Sequence, residues 1–315
     1  MKNRITILFI FLLSSVAKAQ QASIKIAGTR LTYPLIQRWI DEYKKVSPVV
    51  VIEIPKQAAA DSLDLLIVSH VLSADDIKGK ETIALSRYAQ LPVVNNKRTD
   101  LAQLQQNGFS ENDFRKIYFN TDAPVASFAV YKREKSACAS IAFANHYGSQ
   151  QKDINGAGIK GDDRDLLNAV KRDINGISYN NLGFIYDIKS RSVIDSIAVV
   201  PLDLNNNGVI DANEKIYAKL DDVIAYTENN PSGAIPVENV NVLFQKENKN
   251  KETLTAFLKW VITNGQQYNH EYGFLKLPAD AAEAAVKSLE VAQLHHCTPK
   301  GRLLVQNSLS KKSGK

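Results

Sequence analysis

The sequence predicts an α/β chain folded as two lobes. From Ile24 onward, short apolar runs of strand length alternate with amphipathic segments of helical period. Setting aside an N-terminal leader leaves roughly 295 residues, enough for two cores of their own. An extended run, Leu85 to Val94, carries Pro92 where the chain is expected to cross from one lobe into the other.

Residues 1–19 read as a signal peptide, with Lys2 and Arg4, an apolar run from Ile5 to Val16, and Ala17-Lys18-Ala19 as the cleavage site. The run is short for a membrane span, and no Cys follows the cut to take a lipid anchor. The expected mature chain starts at Gln20 or Gln21 and is periplasmic or otherwise exported and soluble. Removing Lys2, Arg4 and Lys18 lowers the formal charge from +6 to +3. Lys300, Arg302, Lys311, Lys312 and Lys315 sit in the tail, so the body is close to neutral. That distribution argues against a nucleic-acid partner, and a monomer is expected. Cys138 and Cys297 either pair or stay free. His295-His296-Cys297 reads as a helix end, because adjacent side chains diverge too far to share a metal.

Ile24 and Ile26 begin the first strand, and the polar loop Gly28 to Thr32 follows. Pro34 opens a helix that carries Ile36, Trp39, Ile40 and Tyr43 on one face. A helix start of this kind can hold an oxyanion on its unpaired N–H groups, with Thr29, Arg30 and Thr32 as added donors. Equally, Thr32 suits an ordinary N-cap. Val49 to Ile54 and Ser62 to Ser69 read as strands, the second holding Asp64 among apolar neighbours. Ligands in such sheets bind beyond the carboxyl ends of strands, which places the 28–32 loop and Ser69-His70 together.

Asp100 to Gln106 and Ser110 to Tyr118 are expected helices, the latter capped by Ser110. Val125 to Tyr131 reads as a strand, Ala137 to Tyr147 as a helix, and Ile154 to Lys160 as a Gly-rich loop or strand. Asp162 to Arg172 reads as a helix with acids first and cations last, as the macrodipole favours. Gly176 to Tyr186 is strand plus turn, and Ile194 to Leu202 a further strand.

Asp203 to Glu214, DLNNNGVIDANE, has the ligand spacing of an EF-hand loop. Asp203, Asn205, Asn207, Asp211 and Glu214 supply side-chain oxygens, Val209 a carbonyl, and Gly208 the sharp turn. A structural Ca2+ is therefore expected. A metal-free Asn/Asp/Gly hairpin is the plainer alternative. The preceding residues look like a strand, so the loop is expected to rigidify and not to switch. Beyond it, Asp221 to Thr227, Lys251 to Tyr268 and Ala279 to Leu294 read as helices, and Val237 to Gln245 as a strand.

Three segments together resemble the phosphate-binding proteins of bacterial ABC importers. They are IKIAGTRLTYPLIQRWIDEYKKVSPVVVIEI, DLLIVSHVLSADD and FLKWVITNGQQYNHEYGFLKLP. The resemblance implies a two-lobed periplasmic-binding-protein fold (type II), here with an inserted EF-hand-like calcium loop at 203–214. Lobe 1 is expected over 20–91 and 197–315, and lobe 2 over 92–196. By matched position, Thr29, Arg30 and Thr32 would form the first anion loop and Asp64 with Ser69 the second. The family's Ser-Gly-Thr-Arg run corresponds to Ser136-Ala137-Cys138-Ala139-Ser140-Ile141. Gly and Arg are both absent there, which leaves a hydroxyl at Ser136 or Ser140 and assigns the missing charge to Arg30.

The implied function is binding of an oxyanion, phosphate first, for the membrane subunits of an ABC importer. A second expectation is the same fold with a degenerate cleft, serving another ligand or a protein contact and stabilised by calcium. No metal-ligand spacing or nucleophile elbow links His70, His146, His270, His295 or His296 to a catalytic Ser, so no enzyme is expected.

Overall fold

The structure is a computed structural model and describes residues 23–59, 62–120, 127–230 and 233–297, with side chains as far as 291. The expected signal peptide, the tail and the Cys297 thiol lie outside the described residues.

The N-terminal half of the sheet forms as its apolar runs suggest. Strands β1 (Ser23–Gly28), β2 (Val51–Glu53) and β3 (Leu65–Val68) are parallel, with Ile24 opposite Ile52 and Ala27 opposite Leu66. Helix α1 (Tyr33–Val46) crosses between β1 and β2 and buries Leu35, Ile36, Trp39, Ile40 and Tyr43. Trp39 is 1% exposed and donates its indole N–H to the Gly265 carbonyl at 3.0 Å. A short helix, α2 (Ala74–Ile77), leads into β4 (Lys80–Asn95).

β4 joins the two lobes. Its first part pairs antiparallel with β9 (Val237–Gln245), from Lys80 opposite Gln245 to Ala89 opposite Val237. Its second part pairs with β7 (Gly176–Asn181) from Gln90 to Val94, and with β8 (Ile197–Val199) from Val93 to Asn95. A strand covered on both faces needs a near-continuous uncharged run, and Ser86 to Asn95 are all buried. The sheet order is β2-β1-β3-β9-β4-β7-β5-β6, where β5 is Ala129–Arg133 and β6 is Ala157–Ile159. Pro92 sits inside β4 opposite Tyr179, a few residues past the crossing.

Two hydrophobic clusters follow from this topology. One gathers Trp39, Ile40 and Val242 with Phe257 and Val261 of α9 (Lys251–Thr263). The other gathers residues of α3 to α8: Leu101–Asn107, Glu111–Tyr118, Cys138–His146, Asp163–Arg172, Leu182–Ile185 and Leu220–Asn229. Aromatic rings dominate the second, with Phe143 stacked on Tyr179 at 4.0 Å and Phe114 on Tyr147 at 5.0 Å. Helix α10 (Ala279–Cys297) packs on α9, tied by Lys259 to Glu290 at 2.7 Å.

The lobe boundary differs from the sequence expectation. Ile197, Val199, Leu202, Tyr217, Leu220, Val223 and Ile235 belong to the aromatic cluster of lobe 2. The chain returns to lobe 1 at Pro236–Val237, where Gln90 N–H donates to the Pro236 carbonyl at 3.0 Å. The 197–202 run is equally apolar whichever lobe claims it, and only its pairing with β4 decides.

The Asp203–Glu214 loop lies on α3 of lobe 2. Ile210 is 9% exposed and its N–H donates to the Gln106 carbonyl at 2.8 Å. Gly208 turns the loop at φ +85°, a backbone region where glycine carries no Cβ penalty. A strand, β8, precedes the loop and a single 3-10 turn, Ala212–Glu214, closes it.

Candidate functional site

A cavity of about 730 Å³ opens between the lobes. From lobe 1 it is lined by Thr29, Arg30 and the end of β3, and from lobe 2 by Arg133, Ser136, Cys138 and Asp162 to Arg164. The sharp entry to the first loop depends on Gly28 at φ +138°, where a Cβ would stand 2.0 Å from the Ile67 carbonyl oxygen. Thr29 follows, its N–H bonded to that same carbonyl at 3.0 Å. The beginnings of α5 and α6 face the loop across the cavity. Asp162 and Asp165 cap α6 reciprocally, which fixes the position of Asp163 and Arg164 in its first turn.

The charges in the cavity come from both lobes. Arg30 is exposed, and its guanidinium makes no ion pair or hydrogen bond to the described residues. Arg133 at the end of β5 contacts Asp163 at 3.1 Å and donates to the Gly161 carbonyl. Arg164 pairs with Asp162 at 3.1 Å. Asp163 is only 6% exposed, and burial pushes its carboxyl above the usual range despite the opposing pull of Arg133.

The sequence-derived set divides. Thr29 and Arg30 line the cavity. Thr32 is 1% exposed and donates its hydroxyl to the Thr29 carbonyl at 2.7 Å, so it braces the loop from beneath. Ser69 is fully buried; its carbonyl accepts from Tyr88 at 2.8 Å and its hydroxyl has no partner among the described residues. Ser140 is also fully buried and accepts from the Tyr179 hydroxyl at 2.9 Å, whereas Ser136, four residues earlier, reaches the cavity. Asp64 stands at the opposite end of β3, roughly 15 Å from Ser69 by strand rise. It accepts from the Lys25 N–H at 3.0 Å and from Asn250 at 3.0 Å, so it joins β1 to the start of α9. Among the described residues the carboxylates that line the cavity are Asp162 and Asp163, and Asp163 is the buried one.

Arg133, Asp163 and Arg164 were not singled out by sequence. The signal available was the acids-first opening of α6, which also suits ordinary capping. A second unforeseen group is Cys138, whose sulfur lies 3.0 Å from Nδ1 of His70 and 3.2 Å from the Thr29 hydroxyl. Burial pushes this thiol up, but the bonds from His70, Thr29 and the Ser69 N–H prevail and bring it down to about 7. The bond to Cys138 raises His70 against the opposing effect of burial.

In the Asp203–Glu214 loop, Glu214 is 1% and Asp203 3% exposed. Glu214 accepts the N–H groups of Leu204 at 2.8 Å and Asp211 at 2.9 Å, and Asp203 accepts those of Asn207 at 3.1 Å and Gly208 at 2.8 Å. Asn205 and Asn207 both turn their amide NH2 groups to Asp211, each at 2.9 Å. Among the described residues no three His, Cys, Asp or Glu side chains already stand close enough to hold a metal ion. None of the described helices is long and apolar enough to cross a membrane.

No family model and no curated protein matches this chain. Solved structures do match. A structure from Clostridium perfringens, described as a candidate phosphate ABC transporter substrate-binding protein with bound phosphate, is 16% identical. It aligns over 81% of this chain and 100% of its own, with a TM-score of 0.60. An ABC-type phosphate transport receptor from Vibrio cholerae is 15% identical over 81% of this chain and 100% of its own, with a TM-score of 0.55. A structure from Planctomyces limnophilus, described as a possible phosphate binding protein, is 14% identical over 86% of this chain and 99% of its own, with a TM-score of 0.53. The chain therefore has the two-lobed α/β fold of periplasmic binding proteins, and the solved structures it resembles in fold are described as phosphate-binding.

Proposed function

We propose that this chain is an exported solute-binding protein that takes an oxyanion, phosphate first, into the inter-lobe cavity for delivery to an ABC importer. The observation that carries this reading is the placement of Arg30 on one lobe and Arg133 and Arg164 on the other, around one cavity. An anion between them would accept charge-assisted hydrogen bonds from both lobes and so favour their closed arrangement. Asp163 supplies the selectivity. As a carboxylate it accepts a hydrogen bond from a protonated oxygen, which hydrogen phosphate offers and sulfate does not. Its raised pKa sets the sign: as pH falls through that value Asp163 becomes a donor, and discrimination against sulfate declines.

Calorimetric titration of the refolded, anion-stripped protein tests this. Phosphate at pH 8 is expected to give a saturable heat and sulfate none, with sulfate binding emerging as the pH is lowered. Silence from both anions in a folded protein would remove the reading.

A second reading, a cleft adapted to another ligand, draws on the pairing of Arg133 with Asp163 and Arg164 with Asp162. An anion must compete with those carboxylates for the same donors.

We also propose that the Asp203–Glu214 loop takes a structural Ca2+. Its support is the donor set: two buried carboxylates, Asp203 and Glu214, that accept backbone N–H groups and have no Lys or Arg partner among the described residues. Half-turns of the Asn205 and Asn207 amides would exchange NH2 for carbonyl oxygen toward Asp211, as a hard cation requires. Bound Ca2+ would tie the loop to α3. At calcium one hundred times its Kd the gain is about 2.7 kcal/mol, or a rise in Tm of roughly 5–10 °C over the chelated protein. Glu214→Gln is expected to abolish that rise, and an equal Tm with calcium and with chelator would exclude the site.

A further inference from the structure

Cys138 is the first residue of α5, half-buried, without a disulfide partner among the described residues and on the wall of the inter-lobe cavity. Its sulfur meets three groups of the opposite lobe: the Thr29 hydroxyl at 3.2 Å and the Ser69 N–H as donors, and His70 Nδ1 at 3.0 Å, which donates when the ring carries a proton there. A thiol can give its one proton to Nδ1 and accept from the other two, but a thiolate facing an imidazolium accepts all three, and two further donors on the sulfur favour that charged form. The helix start adds partial positive charge on the same side. Beside this group, the buried Ser69 hydroxyl is left without a partner among the described residues. Anion binding as proposed above requires neither the thiol nor the imidazole.

We propose that Cys138 and His70 form a thiolate–imidazolium pair across the cleft, and that this thiolate is a covalent modification site for small disulfides. The sulfur attacks one sulfur of the incoming disulfide and forms a new S–S bond. The original S–S bond breaks, its electron pair leaves with the second sulfur, and the proton on His70 Nδ1 converts that leaving thiolate to a thiol. The oxidant is the disulfide itself, so the step balances without a further reagent. Because Cys138 lines the cavity with Thr29 and Arg30, its adduct shares that space.

The groups that set the charge on the pair come from three packed elements. His70 faces Cys138 from α5, Asp76 from α2 and Glu238 from β9, and both carboxylates favour the imidazolium. Burial raises Glu238, so its support weakens in acid.

The test uses the full mature chain with Cys297→Ser, an uncharged disulfide (4,4′-dithiodipyridine), and buffer free of phosphate and sulfate. The pH–rate profile of the folded protein is expected to have its midpoint near 7. The same chain unfolded in urea should show the ordinary thiol midpoint near 8.5. Since lower basicity also lowers intrinsic nucleophilicity, the folded thiol should lead its unfolded counterpart below pH 7 and trail it above pH 9. Mass spectrometry should place one adduct on the peptide containing Cys138, and Cys138→Ser should give none. His70→Ala should move the folded midpoint upward by about one unit or more. Coincident folded and unfolded midpoints, or a folded thiol that stays unreactive at every pH, would overturn the proposal. The unfolded-chain reference decides the question even if His70→Ala fails to fold. The outcome is independent of whether the cleft binds phosphate.

Discussion

Arg133→Ala is expected to weaken phosphate binding on the order of 10²–10³-fold, and Arg30→Ala to weaken it less. Truncating one member of a buried, hydrogen-bonded charge pair costs about 2–5 kcal/mol, and each 1.4 kcal/mol is a factor of ten in affinity. Arg133 would form such a pair with the bound anion, on the cavity wall beside Asp163, which is only 6% exposed. Its loss removes a donor to the anion and the cation that keeps Asp163 ionised. Burial and the nearby Asp162 charge then act unopposed on Asp163, whose pKa rises further, so the variant should lose more affinity for hydrogen phosphate at pH 6 than at pH 8. Arg30 has no described carboxylate partner, and its exposure leaves its charge screened by water. Its replacement removes attraction without stranding a buried charge. Titrations of both variants at the two pH values give the order directly. An Arg133→Ala protein that binds as the wild type does would place the anion elsewhere in the cleft.

Much of the frame was legible because it rests on local pattern. The opening strand, the Pro34-started helix, the Ser110 cap and the strand Val237–Gln245 emerge close to where their periodicity and caps place them. The site was less legible because it is assembled from pairings between distant segments. Asp64 and Asp163 are both single carboxylates near apolar neighbours, and nothing local tells which end of a strand faces a cleft. Asp64 precedes β3 and bonds to Asn250, a partner 186 residues away. Asp163 reaches the cavity because α6 begins where β5 ends, with Arg133 beside it. The charge that the 136–141 run lacks enters from Arg133, three residues before Ser136, a displacement that motif matching does not detect. Ser140 shows the same limitation from the other side. In an isolated run Ser136 and Ser140 are equivalent hydroxyls, and helix phase alone turns Ser140 into the core.

That buried position of α5 yields the largest stability effect. Phe143→Ala is expected to destabilise the protein by about 3–5 kcal/mol. The ring is 1% exposed and stacks on Tyr179 at 4.0 Å, with Tyr118 at 5.0 Å and Tyr147 at 5.2 Å around it. Removing it opens a void among rings that cannot follow into it, because Tyr179 is fixed at its hydroxyl by Ser140 and Tyr118 lies within the same cluster. Transfer and cavity costs therefore add. Ser140→Ala should cost about 1–3 kcal/mol by leaving the buried Tyr179 hydroxyl unpaired. Urea unfolding monitored by tyrosine fluorescence measures both, with the midpoint shifting at unchanged slope. The two variants also separate packing from binding. Ser140→Ala should keep its anion affinity, because its hydroxyl faces Tyr179 and not the cavity. Phe143→Ala should lose affinity together with stability, because α5 begins two residues after Ser136 and holds that part of the cleft wall in place. If Ser140→Ala instead lost affinity while remaining as stable as the wild type, its hydroxyl would be a ligand to the anion and the helix would have to turn to present it.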